Sequence, residues 1–253
     1  MGRPKQRTTT DGLQVVKSAA RVLDIFELLL QEPKGLSLAE ISERLQFPVS
    51  STHALVRTLV SRGYLVRSKD LIIRLGPKLC QYARIFADGL ELISIADPAM
   101  EQVSQLCGRT VSLATLEGRE VVFIHKKIAQ GTMHVVNPVG TRLLAHATGL
   151  GKAILALLPA QEFDRLYPTD TLRALTPNTI TSRATLVSVL DGVRQTGVAY
   201  DREESALGIF AVGSAIQDHR GRPVAAISIV LPAAQADDAL RPRWAELIKT
   251  AAR

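Results

Sequence analysis

The apolar positions of the first third of the chain fall into short helical stripes. From about Ser18, residues Ala19, Val22, Leu23, Ile25, Phe26, Leu29 and Leu30 recur at steps of three and four, and the pattern stops near Pro33-Lys34-Gly35. Ser37-Leu38-Ala39-Glu40 has the form of a capping box, in which the serine hydroxyl takes a free amide of the first turn while the glutamate reaches back. The helix it starts is short, with Leu38, Ile41 and Leu45 on one side, and Gln46-Phe47-Pro48 breaks it. A further helix is expected with Ser50 as its cap, stopping at Gly63. Tyr64–Arg67 and Leu71–Arg74 then predict two strands of a hairpin around Ser68-Lys69-Asp70.

Beyond the hairpin the pattern mixes periods. A helical stretch from Pro77 to about Ile95 is expected to link two halves, and a second helix over Met100, Val103 and Leu106 to end at Gly108. Val111–Leu116 and Val121–Lys126 flank a turn at Glu117-Gly118-Arg119, and Phe210–Ile216 and Pro223–Leu231 flank Asp218-His219-Arg220-Gly221. His146–Leu158 and Ser182–Gln195 look helical. Antiparallel pairs with helices between them predict an α+β sensor-like domain rather than a doubly wound one.

Charge sharpens this division. Residues 1–80 hold 13 Lys/Arg against 7 Asp/Glu, while the remaining 173 residues hold 18 against 17. A basic segment joined to a nearly neutral one suggests a polyanion-binding module joined to something else. No apolar run approaches the roughly 20 residues needed to cross a bilayer, and the N-terminus lacks a secretory core, so a cytoplasmic protein is expected. Cys80 and Cys107 fit no zinc spacing and are expected to be buried, small and unpaired.

Two short helices and a hairpin make a winged helix-turn-helix. On the second helix, a step of about 100° per residue puts Thr52, Leu55, Val56, Leu59 and Val60 inward and Ser50, Ala54, Arg57 and Ser61 outward, with His53 and Thr58 on the flanks. No acidic residue occurs from Val49 to Ser68, so this face can enter the ~12 Å major groove without repelling phosphates. Arg57 is the candidate for a fork to guanine or phosphate; Ser37, Ser50, Ser51 and His53 can donate to phosphates or base edges. Arg67 and Lys69 at the hairpin tip, with Arg74 as a further candidate, are placed to meet backbone or minor groove. The arm Gly2-Arg3-Pro4-Lys5 reads first as a plain tail, with a minor-groove hook of flat Arg-Pro type as the alternative.

Over nearly its whole length the sequence resembles the IclR family of bacterial transcription regulators. Ser18–Ile25 resembles that family's first helix, and Leu36–Ile41 with Pro48–Thr52 its helix-turn-helix. His146-Ala147-Thr148-Gly149-Leu150-Gly151-Lys152-Ala153, Gly197–Glu204 with Leu207-Gly208-Ile209, and Asp218–Gly221 with Ala225–Ile229 match three effector-half motifs in order. The resemblance implies a winged helix-turn-helix (residues 1–76), a linker helix (77–95) and a GAF-like effector-binding domain (96–253). It also implies homodimers, or tetramers, on palindromic operators, with repressor ahead of activator. Carried over by motif, the effector pocket comprises Thr132, Val135, Gly149, Leu150, Asp201, Ala211, Ser228 and Val230. Free amides at Gly149-Leu150 suit a carboxylate. Many relatives carry Cys where Ala211 stands and Ser where Val230 stands, which implies an effector with an apolar or aromatic body. Relatives often carry Arg where Ala54 stands, so operator preference does not transfer.

Enzyme readings are weaker. Gly151-Lys152 lacks the remaining phosphate-loop residues, because His146 and Ala153 occupy the required Gly and Ser/Thr positions. Asp201, Glu203 and Glu204 lack a spaced His pair and read as a cap-forming or solvated loop before a metal or acid/base cluster. His125 and His134 read as core or surface residues. No cofactor or metal is expected. The alternative to a ligand-responsive regulator is a small-molecule enzyme or carrier with an incidental helical N-terminus.

Overall fold

The computed structural model describes residues 16–89, 91–129, 137–237 and 239–253, so the N-terminal arm, Thr132, His134 and Val135 lie outside the described residues. It divides into two compact units between Phe86 and Ala87.

The first unit holds α1 (Lys17–Leu30), α2 (Leu38–Leu45), α3 (Val49–Ser61), β1 (Leu65–Arg67), β2 (Ile73–Leu75) and most of α4 (Lys78–Gly89). Its core is Ile25, Leu29, Leu36, Ile41, Val56, Leu59, Leu65 and Ile73, largely the inward stripe that the periodicity selects. The capping box forms as expected, Ser37 Oγ accepting from the Glu40 amide while the Glu40 carboxylate accepts from the Ser37 amide. Gln46 ends α2 in the left-handed region at φ 55°, and Ser42 Oγ donates to the Phe47 carbonyl at 2.7 Å across the break. The expected cap of α3 is corrected: the helix begins at Val49 on Pro48, no side chain caps it, and Ser50 lies in its first turn. Proline needs no amide partner and fixes a φ suited to that entry.

β1 and β2 pair antiparallel with Leu65 opposite Leu75, so the second strand starts two residues later than expected. The turn uses those residues. Ser68 N donates to Ile72 O and Ser68 Oγ accepts from Ile72 N, with Leu71 at φ 64°. A bridge from Leu36 to Ile73 adds a third line of pairing. It needs Gly35, at φ +81°, because a Cβ there would stand 2.5 Å from the Ile73 carbonyl oxygen.

The second unit opens with α5 (Glu91–Cys107). The expected break after Ile95 is therefore absent: one helix runs from Glu91 through Met100, carrying Pro98 in its interior. A six-stranded antiparallel sheet follows, made of β3 (Thr110–Glu117), β4 (Glu120–Lys127), β5 (Arg142–Leu144), β6 (Ala199–Arg202), β7 (Ile209–Gln217) and β8 (Pro223–Pro232), in the order β5-β4-β3-β8-β7-β6. The helices α6 (Gly149–Leu157), α7 (Ala160–Leu166) and α8 (Arg183–Thr196) pack over one face; α5 and α9 (Arg241–Ala251) pack over the other. Strands buried on both sides explain why β3, β7 and β8 read as nearly continuous apolar runs. Cys80 is exposed on α4 and Cys107 half-buried, a correction to the expectation of two buried thiols; both are unpaired. Among the described residues no helix is long and apolar enough to cross a membrane.

Candidate functional site

On α3 the residues facing inward and outward separate as the helical wheel requires. Thr52, Val56 and Leu59 are buried, whereas Ser50, His53, Ala54, Arg57, Thr58 and Ser61 are exposed. Thr58 and Ser61 direct their hydroxyls to backbone carbonyls of the same helix, Ala54 O and Thr58 O. That leaves Ser50, His53 and Arg57 as side chains free to meet a ligand, and no carboxylate of the described residues pairs with Arg57.

Two expected donors are already engaged. Ser37 Oγ donates to Glu40 Oε2 at 2.7 Å, and these bonds hold the Glu40 carboxyl below its ordinary range. Ser51 accepts from Arg21 Nη1 at 3.0 Å, and the Arg21 guanidinium lies 4.9 Å above the Phe47 ring. Arg21, unremarked in the sequence, thus ties α1 to the start of α3; its only signal was a cation within an apolar stripe. Arg67 and Lys69 are exposed on the hairpin. Arg74 is exposed as well, but its Nε donates to the Lys34 carbonyl at 2.8 Å.

In the second unit, strand register gathers residues far apart in the chain. Ser112, Ser228, Gly213 and Ala199 stand opposite one another across β3, β8, β7 and β6. Thr110, Val230, Ala211 and Asp201 form the next row. Paired and alternate residues share a face, and this is the face under α6, since Ala114, Ala199 and Ala226 of the same set pack with Leu150, Ala153 and Ile154. The start of α6 lies directly on the strands: a Cβ at Gly213 would stand 2.9 Å from the Gly149 carbonyl carbon, and one at Gly149 3.2 Å from Ala199 O. Thr148 caps this helix, its Oγ1 accepting from Gly151 N at 2.9 Å. All six described effector candidates, Gly149, Leu150, Asp201, Ala211, Ser228 and Val230, therefore cluster.

Within the cluster their states differ. Ser228 Oγ is fully buried and has no hydrogen-bond partner. Asp201 is instead consumed by its own loop: Oδ1 accepts from Glu204 N at 2.8 Å and Oδ2 from Ser205 Oγ at 2.5 Å. Burial nonetheless pushes its carboxyl up to about 6. The cap-forming reading of this loop is the one observed, and no metal-holding group of His, Cys, Asp and Glu occurs among the described residues.

Sequence reasoning missed a buried ion pair of the unit. Lys152, nearly fully buried in α6, forms an ion pair with buried Glu204 of the β6–β7 loop. Desolvation lowers the lysine's affinity for its proton, and Glu204 opposes that shift. Thr179 Oγ1 donates to the Glu204 carbonyl at 2.7 Å, fixing the same loop. The available signal was a single lysine inside an otherwise apolar helix. Such a charge demands a partner. His125 meets Asp97 at 2.6 Å, and Lys127 meets the same carboxylate at 2.9 Å, which fastens β4 to α5.

Two family models match the chain: "Bacterial transcriptional regulator IclR C-terminal" over residues 85–253 and "IclR helix-turn-helix domain" over residues 18–69. The chain belongs to the IclR family. Among curated IclR relatives, the HTH-type transcriptional regulator XynR of Escherichia coli is 29% identical over 94% of this chain and 95% of its own. The HTH-type transcriptional repressor AllR of Salmonella typhi is 30% identical over 100% and 93%. The Thermotoga maritima IclR crystal structure superposes with a TM-score of 0.78 at 29% identity, covering 93% of this chain and 95% of that one. An IclR homolog from Microbacterium hydrocarbonoxydans complexed with 4-hydroxybenzoate gives 0.82 at 26%, with 93% and 95% covered. As an IclR protein the chain is a ligand-responsive DNA-binding transcription regulator rather than an enzyme.

Proposed function

We propose that this regulator acts as a homodimeric repressor on a palindromic operator, released or tightened by a small organic acid with an apolar or aromatic body. The clustering of Ser228, Ala211, Val230 and the start of α6 on one sheet face carries the effector half of this reading. A buried hydroxyl without a partner is costly unless a ligand group or water completes it. Ala211 and Val230 beside it favour apolar contact over a second polar anchor. Binding of 4-hydroxybenzoate by a structural neighbour supports the same class, and relatives named as repressors support the sign.

On the DNA side, Ser50, His53 and Arg57 enter the major groove while Arg67 and Lys69 approach the backbone. Ser37 and Ser51 act indirectly, by capping α2 and by bonding Arg21. Dimerisation is supported by Val16, Leu23 and Leu30, which are 67%, 60% and 68% exposed at seven-residue intervals along and just before α1. Such a stripe suits a second copy of the same helix. Effector occupancy shifts the population of effector-domain arrangements, and the segment containing α4 and the start of α5 carries that shift to the spacing of the recognition helices.

The test is fluorescence anisotropy on DNA from upstream of the gene, with and without 4-hydroxybenzoate or glyoxylate. A change in operator affinity with the aromatic acid but not with glyoxylate is expected. A response to glyoxylate alone would overturn the assignment of the effector class.

A further inference from the structure

The outer side of α5 carries an apolar stripe that its own unit leaves bare. Ala96, Met100 and Val103 are buried against the sheet and α9. Leu92, Ile95, Ala99, Gln102 and Leu106 form a second line down the same helix, at alternating steps of three and four residues. Ile95 is 67% and Leu106 51% exposed. With α9 and the β7–β8 turn, this line walls a groove of about 1010 Å³. Large aliphatic side chains held in water at coiled-coil spacing mark a contact surface.

The stripe reads nearly the same from either end. Ala99 stands at its middle, Leu92 lies seven positions before it and Leu106 seven after, with Ile95 and Gln102 between. A second α5 laid antiparallel about Ala99 therefore sets Leu92 against Leu106 and Ile95 against the Gln102 stem. The small central residue lets the two helices approach closely.

Charge selects the same arrangement. Glu91 is the first residue of α5, and Arg243 of α9 borders the groove at the other end of that helix. Its place is marked by Cys107, the last residue of α5: burial pushes this thiol up, and the charges of Arg109 and Arg243 oppose the shift. Glu246 of the groove is bonded to Lys249, and Asp218 to the amides of Arg220 and Arg222. Glu91 and Arg243 have no ion-pair partner among the described residues. Antiparallel docking brings the Glu91 end of each helix to the Arg243 end of the other, twice by symmetry.

We propose that this face is a self-association surface on which a second copy of the chain docks α5 antiparallel to α5, with Glu91 of one copy paired to Arg243 of the other. Parallel docking would set Glu91 against Glu91 and is opposed by like charge. The contact is separate from the α1 stripe, so a chain that uses both assembles beyond a dimer, to a tetramer.

The experiment is analytical ultracentrifugation of the full chain over a micromolar concentration series. Glu91→Arg or Arg243→Glu alone should weaken the α5 contact at least about a hundredfold, because each reversal sets like charges together at two symmetry-related places. The two reversals combined in one chain should restore the wild-type assembly. Ile95→Glu with Leu106→Glu, both at exposed positions, should halve the assembled mass and leave the far-UV circular dichroism unchanged. Leu23→Glu with Leu30→Glu tests the α1 stripe apart. If that stripe is idle, the wild type is a dimer and the α5 variants are monomers, which upholds the α5 contact. The proposal is overturned by a mass that none of the α5 variants changes, or by single reversals that dissociate the chain with no recovery in the double.

Discussion

The helices α3 and α6 put opposite demands on their polar residues. In α3 Ser50, His53 and Arg57 face water, while Thr52, Val56 and Leu59 are buried, Leu55 and Val60 pack beside them, and Ser51 bonds Arg21 of α1. In α6 every residue from Gly149 to Ala156 is buried, and its one charge, Lys152, persists because Glu204 answers it. A surface that reads DNA can be altered without harm to the fold. A site built into a core cannot, because its polar groups are also structural.

That contrast can be broken in four places. The largest effect is expected for Lys152→Ala, which strands Glu204 in the interior and should cost about 3–5 kcal/mol, read as a fall in Tm. Lys152→Met with Glu204→Leu should recover most of the loss, since an apolar pair of similar volume needs no desolvation. Gly213→Ala comes next: its Cβ meets the backbone of Gly149, so α6 must lift or the strand must bend. About 1–3 kcal/mol of stability should be lost by chemical denaturation, with a shift in effector affinity. Arg57→Ala should reverse the signature, lowering operator affinity by ~1–3 kcal/mol with Tm unchanged. Equal Tm losses for Arg57→Ala and Gly213→Ala would erase the contrast between the two helices. The smallest effect is expected at the wing, where Lys69→Ala should reduce the slope of log affinity against log salt by about 1 and leave sequence preference intact.

Acidity gives a sharper test inside the core. The Asp201 carboxyl is raised from 3.8 to about 6, chiefly by burial. The folded chain therefore holds this proton more tightly than the unfolded one. Its contribution is fully present below the unfolded value and is lost as pH climbs through the folded value. Thermal melts should show the wild type losing stability relative to Asp201→Asn between about pH 4 and 6. A constant difference across that window would show that the carboxyl titrates normally.

The two units were unequally legible for the same reason that they respond differently. Helical periodicity, the Ser37–Glu40 box and the outward face of α3 are local, and each follows from residues within one or two turns. The misplaced cap at Ser50 arose where proline and serine compete for one helix start. The late second strand arose from Ser68 and Leu71, whose turn is wider than the apolar pattern implied. In the second unit, β5, β6, α7 and α9 are not legible in the sequence, because short edge strands and charged helices leave a weak pattern. Lys152 and Glu204 stand in local patterns that point to phosphate and metal chemistry rather than to each other.

Local composition was enough to dictate the winged helix-turn-helix, the polarity of the outer face of α3 and the basic first third of the chain, because those properties are sums over neighbouring side chains. The tertiary structure decided what register and burial create. It brought Ser112, Ser228, Gly213 and Ala199 into one row, turned Asp201 into its own loop, paired Lys152 with a carboxylate 52 positions away and left Glu204 Oε2 without a donor. The energy of a buried charge depends on what lies within a few ångströms in space, and sequence separation carries no record of that distance.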